Sequence, residues 1–349
     1  METLWIGTYT DKQSEGIYSA HFDSETGRIS DIKLAVEASD PAFLLVSKDG
    51  KHLFAVDEGI RFDGQNGGGV LSYTVTGNGT LTKNGRQPTH ADHPCYLALS
   101  ADCTLLFATS YTGGDLTVFP ISAQGVVESV SARKKFEGHS IHPTNQKRPH
   151  MHCVALSPDK KHLWMCDLGS DRVYTYPFDG AQVDFDKPTI VEVPAGYGPR
   201  HIAFHPTLPI AYVVTELSNH VLVIWLDSNG EPVGITQDLS ALPVGYNETS
   251  TCAAIRVSAD GKFLYATNRG HNSIALFQID KKGALQEKGH FPSGGKSPRE
   301  LAFSKDGNWL LCANQDTGIN VMKVNKSDGA LIEVFGTDEV SSPSCLAFG

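Results

Sequence analysis

The sequence lacks the features of a membrane, secreted or nucleic-acid-binding protein. No stretch of its 349 residues approaches the roughly 20 apolar residues that span a bilayer. Residues 1–5 carry neither the cationic start nor the apolar run of a secretory signal, so we expect a cytoplasmic protein. Lys and Arg number 29 against 39 Asp and Glu, a formal charge of −10. This charge argues against duplex DNA or an anionic membrane as partner, because both reward a basic surface.

Two further absences narrow the fold. The seven cysteines contain no C-x-x-C pair, which favours reduced, buried thiols in a cytoplasmic protein. No window shows a sustained helical stripe, whereas short alternating runs bounded by Gly, Asp and Asn recur, as in residues 273–279. The sequence therefore predicts an all-β protein.

A motif repeats along the whole chain. Ser-x-Asp occurs five times in equivalent surroundings, a sixth copy replaces the serine with His205, and the last copy runs out at Gly349. Taking the serine or its equivalent as a mark, the marks fall at positions 47, 100, 157, 205, 258, 304 and 349. A period near 50 residues is typical of a four-stranded propeller blade.

Each repeat predicts four strands, which we call A to D, with strand A just before the mark. In the sixth copy these are 299–304, 309–314, 319–324 and 330–336. The truncated seventh copy supplies strand A alone, and residues 4–9, which match 264–269, supply its strand B; strands C and D follow at 16–22 and 29–36. We therefore predict one domain over residues 1–349, a seven-bladed β-propeller whose last blade is closed by both termini.

Polar residues break the repeat at one position of strand A. The residues three and one before each mark are apolar in all seven copies. Five before the mark, which we call the entry position, strict alternation predicts the same face. The entry residues are Ala42, Cys95, His152, Arg200, Ala253, Arg299 and Ser344. Two arginines and a histidine contradict the pattern, and such local violations are where function is best sought.

Strand B brings a second set of polar residues to the same end of the ring. It runs antiparallel to strand A, so its last residues lie beside the entry position. The residues eleven after the mark, which we call the exit position, are Tyr9, Glu58, Tyr111, Leu168, Glu216, Arg269 and Gln315. Asn268 directly precedes the exit residue Arg269. The register therefore predicts that the polar entry and exit residues converge on one rim of the central channel.

This convergence predicts an anion site with proton-transfer groups. Three arginines in an acidic chain suit a carboxylate or phosphate. A glutamate and a histidine add groups that move a proton, and an arginine aimed at a carbonyl would stabilise an oxyanion. We expect hydrolysis or isomerisation of a small anionic lactone, with no metal and no cofactor. The predicted catalytic residues are His152, Arg200, Glu216 and Arg269, and the predicted substrate-binding residues are His150, Asn268 and Arg299.

Structural explanations compete with this one. Arg200 with Glu216 could be an inter-blade salt bridge, and Arg299 could pair with a neighbouring acid. The histidine-rich segment 139–152 has no carboxylate or cysteine at zinc-ligand spacing, which favours a loop covering the substrate over a metal site or a purely structural loop. The aspartates of the Ser-x-Asp motif are expected to be turn residues.

The chain also resembles a known family. The motifs are 5–9 (WIGTY), 149–152 (PHMH), 198–206 (GPRHIAFHP), 215–217 (TEL) and 268–269 (NR). They are similar to the seven-bladed propeller lactonases, which include a bacterial 6-phosphogluconolactonase type and a fungal carboxy-cis,cis-muconate cyclase. In the cyclase the proposed site is one His, two Arg and one Glu, which match His152, Arg200, Arg269 and Glu216. The resemblance implies 6-phosphogluconolactone as the favoured substrate; a muconate-type lactonising isomerase and a non-catalytic interaction platform are the alternatives.

Overall fold

The computed structural model describes residues 1–77 and 79–349, which form 30 β-strands and no helix. Blade 1 follows the first three strands, which belong to the closing blade 7. The first strands in chain order are β1 (Glu2–Thr8), β2 (Gly16–Asp23), β3 (Arg28–Glu37), β4 (Leu44–Val46), β5 (His52–Asp57), β6 (Arg61–Phe62), β7 (Gln65–Asn66), β8 (Gly69–Thr76) and β9 (Thr80–Pro88). Strands β6 and β7 form a small separate hairpin.

Blades 2 to 6 each use four consecutive strands. Blades 2 and 3 contain β10 (Pro94–Leu99), β11 (Leu105–Ser110), β12 (Asp115–Pro120), β13 (Ala132–Lys135), β14 (Met151–Leu156), β15 (His162–Asp167), β16 (Arg172–Pro177) and β17 (Thr189–Glu192). Blades 4 and 5 contain β18 (Pro199–Phe204), β19 (Ile210–Thr215), β20 (His220–Leu226), β21 (Pro232–Ser240), β22 (Thr251–Val257), β23 (Phe263–Arg269), β24 (Ser273–Ile279) and β25 (Leu285–Pro292). Blade 6 contains β26 (Pro298–Phe303), β27 (Trp309–Asn314), β28 (Gly318–Val324) and β29 (Leu331–Thr337), and β30 (Pro343–Phe348) completes blade 7.

The predicted seven-bladed architecture is confirmed. Every blade is a four-stranded antiparallel sheet, and blade 7 has the strand order β3-β2-β1-β30, so the two ends of the chain share it. Leu4 pairs with Phe348 and Ile6 with Leu346 across that seam. Closing the ring removes the exposed strand edges that an open row of blades would present. No described residue lies in a helix long and apolar enough to cross a membrane.

Apolar side chains fill the spaces between neighbouring blades. The residues three before each mark are 0–6% exposed in all seven blades, and they belong to clusters that join adjacent sheets. Blade 4 packs on blade 5, for example, through Tyr212, Val223 and Phe277, which are at most 1% exposed. This packing fixes the angle between blades and, with it, the spacing of the side chains that face the channel.

The Ser-x-Asp motif closes the turn between strands A and B. In each of the five copies the serine hydroxyl donates to the aspartate, at 2.5–2.7 Å. The same hydroxyl accepts a backbone N–H at the start of strand B, as in His52 to Ser47 at 3.0 Å. In the sixth copy the ring of His205 accepts the N–H of Leu208 at 2.9 Å instead. We call this end of the ring the turn rim.

At the other end, the site rim, a β-bulge interrupts the innermost strand. In five blades one residue of strand A has no partner in strand B, and that residue is Cys95, His152, Arg200, Arg299 or Ser344. These are entry residues, so the expected strict alternation is wrong at this point. A bulge adds one residue and re-aims its side chain. Consequently the entry residues face the channel, while the residues two positions later face the neighbouring blade.

Candidate active site

Glu216 lies at the centre of the polar cluster on the site rim. Its Oε2 accepts from Nε of Arg200 at 2.8 Å and from Nη2 of Arg269 at 2.9 Å, and Nε2 of His152 is 4.0 Å away. Burial opposes its ionisation, but the charges of Arg269 and Arg200 outweigh burial and lower the pKa of Glu216. Glu216 is therefore a fixed carboxylate at neutral pH and a weak proton acceptor.

The two guanidiniums that hold Glu216 are themselves anchored to backbone. Arg200 is 2% exposed, and its Nη1 donates to the carbonyl of Ala253 at 2.7 Å. Arg269 donates from Nη2 to the carbonyl of Cys252 at 3.0 Å. The buried Nε of Arg269 has no hydrogen-bond partner in the protein. Burial and the charge of Arg269 lower the pKa of Arg200 to about 10, so Arg200 remains a cation at neutral pH.

His152 is the uncharged member of the cluster. Burial and the nearby charge of Arg200 hold the pKa of His152 well below its usual range, so the imidazole is neutral at pH 7. Its ring meets the edge of Tyr111 at 5.4 Å and that of His201 at 5.2 Å between centroids, and its Nδ1 is 4.0 Å from Sγ of Cys95. A neutral imidazole held by packing on several sides is suited to accept a proton.

Arg299, Tyr9 and Glu58 form a second chain of hydrogen bonds across the cavity. Arg299 donates from Nη2 to the Tyr9 hydroxyl at 2.5 Å, and that hydroxyl donates to Oε2 of Glu58 at 3.0 Å. The guanidinium carbon of Arg299 also lies 5.0 Å from the Tyr9 ring centroid, and its Nη1 is 3.3 Å from Oε1 of Gln315. Burial raises the pKa of Glu58 to about 7, although Arg299 counteracts it.

One small cavity is lined by Tyr9, Glu58, His152, Arg200 and Arg299. Aromatic rings pack beside it: the Phe43 and Tyr96 centroids are 4.0 Å apart, and those of Tyr96 and His201 are 4.9 Å apart. Beside them, buried Glu300 accepts from Arg256 at 2.7 Å.

Comparison with known proteins identifies the family. A family model described as a seven-bladed beta-propeller lactonase matches residues 3–348. The chain belongs to this family. It is 33% identical over 348 residues to a 6-phosphogluconolactonase of Bacillus subtilis, with 99% of this chain and 97% of the relative covered.

Other relatives in the lactonase family carry different descriptions. A structure described as a periplasmic gluconolactonase of Pseudomonas aeruginosa superimposes with a TM-score of 0.92 at 32% identity, covering 99% of this chain and 98% of the other. An uncharacterized protein of Lactococcus lactis is 32% identical over 332 residues, covering 95% of this chain and 94% of its own. Membership therefore gives a lactonase fold and an enzyme of lactonase type, and it leaves the individual lactone open.

The lactonase fold brings five of the seven predicted site residues together. His152, Arg200 and Arg299 line the cavity; Glu216, at the exit position of blade 4, binds Arg200, and Arg269, at the exit position of blade 5, binds Glu216. The Arg200–Glu216 pair lies within blade 4, so the inter-blade salt bridge considered above is wrong, and the carboxylate is shared with Arg269 of blade 5. The register of entry and exit positions is thus confirmed as a guide to which side chains are neighbours; their catalytic roles stay predictions.

The other two predicted residues, His150 and Asn268, neither line the cavity nor bind Glu216. His150 stacks on Tyr111 at 4.2 Å and bonds through Nδ1 to the Tyr111 carbonyl at 2.8 Å, so it supports the ring that meets His152. Asn268 is fully buried, and its amide donates to the carbonyl of Ala241 at 2.7 Å and to Ser273 at 3.1 Å. The structure gives Asn268 a bracing position within blade 5 instead of the expected substrate contact.

Several cavity residues were missed by the sequence reasoning. Tyr9 and Glu58 occupy the exit position, so the repeat register already placed them on this rim. No pattern in the sequence indicated that these two would bond to each other. His201 and Glu300 each follow an entry residue directly. Two consecutive side chains line the cavity only because of the bulge, and alternation cannot predict that.

The histidine-rich segment 139–152 runs along the site rim of blade 3. Its buried Gln146 donates to the carbonyl of Leu168 at 2.9 Å and accepts the N–H of His142 at 3.0 Å, which pins the loop to the blade. Residues 1–77 and 79–349 contain no group of three or more His, Cys, Asp or Glu side chains arranged to hold a metal ion. The expectation of a substrate-covering loop stays a prediction.

A larger surface groove lies elsewhere and has a different character. It lies on the turn rim between blades 3 and 4, lined by residues such as Lys160, Phe178 and Asp184. Its charges belong to exposed turns, for example Lys187 with Asp184 at 2.8 Å. Exposed pairs of this kind contribute little energy, and they do not converge on a point. The small cavity on the site rim is therefore the candidate active site.

Proposed function

We propose that this protein hydrolyses 6-phosphogluconolactone to 6-phosphogluconate, a step of the oxidative pentose phosphate pathway, in the cytoplasm. Three observations support the proposal: the family is one of lactonases, the Bacillus subtilis relative is named for this reaction, and three arginines lie in one polar cluster, with Arg200 and Arg299 in the cavity lining and Arg269 bound to Glu216. The substrate is a small sugar lactone that carries a phosphate, and arginine side chains bind phosphate readily.

The observation that carries the proposal is the shared carboxylate. One oxygen of Glu216 is bound by two guanidiniums from adjacent blades, beside a neutral histidine 4.0 Å away. A purely structural ion pair needs one arginine, and it needs no neutral imidazole facing the same cavity. Glu216 fixes the two cations at the positions where they would meet an anionic substrate, and this pre-organisation lowers the cost of binding and of charge development.

The proton acceptor in this mechanism is His152 and not Glu216. Hydrolysis begins when a water molecule attacks the lactone carbonyl and loses a proton to a base. Glu216 is a poor base because Arg269 and Arg200 lower its pKa. The ring of His152 is neutral and offers a ring nitrogen for the proton. Burial and the arginines disfavour the imidazolium, and the negative charge of the bound substrate and of Glu216, 4.0 Å away, offsets them.

The arginines divide the remaining tasks. As negative charge develops on the carbonyl oxygen, Arg200 stabilises it from a buried position where the effective dielectric is low. Arg269 has an unpartnered Nε–H, and Arg299 of the next blade lines the cavity, so these two anchor the phosphate. Guanidinium and phosphate form charge-assisted hydrogen bonds of this kind readily.

The direct test is an assay with purified protein on three substrates. We expect faster opening of 6-phosphogluconolactone than of unphosphorylated gluconolactone, after subtraction of the spontaneous rate, because the phosphate gains contacts with arginine. No acceleration over buffer would refute the proposal. Faster cyclisation of an unsaturated muconate-type diacid would replace it with an isomerase, and absence of any rise in Tm with 6-phosphogluconate would favour an interaction platform.

A further inference from the structure

The candidate site contains a second carboxyl group that the mechanism above leaves unused. Glu58 occupies the exit position of blade 1, the position that Glu216 occupies in blade 4, and both face the same channel. Glu216 is bound by two guanidiniums. Glu58 touches no guanidinium and accepts one hydrogen bond, from the Tyr9 hydroxyl at 3.0 Å. Two carboxyl groups with such different partners are suited to different protonation states.

The hydrogen-bond directions determine which oxygen of Glu58 carries a proton. Arg299 has only donors, so the Tyr9 hydroxyl accepts from it and must direct its single proton to Oε2 of Glu58. Oε2 is therefore an acceptor, and a proton on Glu58 sits on Oε1. Because Glu58 and Tyr9 both line the cavity, that proton is available to a bound molecule.

Opening a lactone needs a proton donor as well as a base. When the tetrahedral intermediate collapses, the bond from carbon to the ring oxygen breaks, and that oxygen leaves as an alkoxide unless it receives a proton. His152, Arg200 and Glu216 lie together and act on the carbonyl side. None of them can donate this proton at pH 7. Glu216 is ionised, His152 is the group that accepts the proton from water, and Arg200 stays cationic.

We propose that Glu58 is the general acid of this site and that its Oε1–H protonates the departing ring oxygen. The inference rests on the proposed lactonase function. The water proton goes to His152 and the Glu58 proton goes to the ring oxygen, so one turnover leaves an imidazolium and a carboxylate, and solvent returns one proton to Glu58 and removes one from His152. Tyr9 and Arg299 are positioning residues that orient Glu58.

The surroundings of Glu58 fit this role. Burial raises its pKa to about 7 and the charge of Asp40 adds to that, while Arg299, the Tyr9 hydrogen bond and Arg200 lower it. A group with a pKa near the working pH exchanges protons most effectively. Because an acid is active only while protonated, the rate should fall as the pH rises through about 7.

Two variants test the role through the pH profile. Glu58→Gln keeps an acceptor for Tyr9 but has no acidic proton, so kcat should fall about 100-fold or more and the alkaline limb near pH 7 should disappear. Tyr9→Phe removes a hydrogen bond that lowers the pKa of Glu58, so the alkaline limb should move to higher pH. If Glu58 had only a structural role, neither variant would change the alkaline limb of the pH profile. Glu192→Gln, on the outer strand of blade 3, is the matched control and should leave the profile unchanged.

A titration that needs no substrate separates this inference from the proposed function. The protein is labelled with ¹³C-glutamate, and the Glu58 carboxyl resonance is identified by its absence in Glu58→Gln. A midpoint near 7 supports the inference, and a midpoint near the ordinary value of about 4.3 overturns it. If Glu58→Gln hydrolyses the lactone at the wild-type rate, the acid role fails and the lactonase function stands; if the wild type hydrolyses no lactone, both fail.

Discussion

The two rims of the propeller follow opposite rules. On the turn rim the same residues recur, and five blades close strand A to strand B with one hydrogen-bond pattern from serine to aspartate. On the site rim the equivalent positions differ in almost every blade, and they hold tyrosine, glutamate, histidine and arginine. A closed ring needs blades of equal shape, whereas a reaction needs several different groups around one point. Repetition on one rim allows variation on the other.

The largest expected effect comes from removing the charge at the centre of the site rim. Glu216→Gln leaves Arg200 and Arg269 without their shared counter-charge in a buried place. We expect kcat to fall about 100-fold or more and Tm to fall as well, because breaking a buried ion pair costs about 3–5 kcal/mol. Steady-state kinetics and calorimetry provide the measurements.

The matched control for that variant is Glu192→Gln. Glu192 pairs with Arg172 at 3.0 Å, but both side chains are substantially exposed, at 65% and 33%. An exposed pair contributes about 0–1 kcal/mol, so activity and Tm should both stay near the wild-type values. Equal losses in the two variants would contradict the distinction between the rim and the outer strands.

The fold could be predicted from the sequence because its period is a local signal. Apolar residues one and three before each mark, and Ser-x-Asp after them, identify strand A and its turn without knowledge of distant contacts. The site was predictable only in outline. Alternation cannot reveal a bulge, and the pairing of Arg299 in blade 6 with Tyr9 in blade 7 and Glu58 in blade 1 depends on the way in which the ring closes.

A smaller loss of activity is expected when the planar guanidinium of Arg269 is replaced by a lysine ammonium, which keeps the positive charge. Nη2 of Arg269 donates both to Glu216 and to the Cys252 carbonyl, and a lysine ammonium cannot reproduce that planar geometry. Arg269→Lys should reduce kcat/KM for 6-phosphogluconolactone by about 10- to 100-fold, which corresponds to 1.4–2.8 kcal/mol. Arg172→Lys, at the exposed pair of blade 3, should leave kcat/KM unchanged; a similar loss there would refute the argument.

The site rim should also carry a stability cost that the turn rim lacks. The pKa of Glu58 is raised to about 7 in the folded protein, so its ionisation opposes folding once the pH exceeds the unfolded value of about 4.3, and the cost grows until the pH passes 7. Glu58→Gln should therefore raise Tm by a few degrees at pH 8 and have little effect at pH 4. A gain of the same size at both pH values would show that packing, and not ionisation, is responsible.

The stability contribution of a turn-rim hydrogen bond should depend on pH in the direction opposite to that of Glu58, and its loss should have the smallest effect of the variants considered. The Ser100 hydroxyl donates to Asp102 at 2.7 Å and lowers the pKa of that carboxyl, so the contribution to stability is present above the unfolded pKa and is lost as the pH falls through the folded one. Ser100→Ala should raise the pKa of Asp102 in an NMR titration. Since the hydroxyl also accepts the N–H groups of Thr104 and Leu105, the free energy of unfolding should fall by about 1 kcal/mol. Catalysis should be unaffected, because one altered turn at the far rim leaves the packing between blades intact. A change in kcat in this variant would mean that the two rims are coupled through the blade, and the separation of structural repetition from functional variation would then fail.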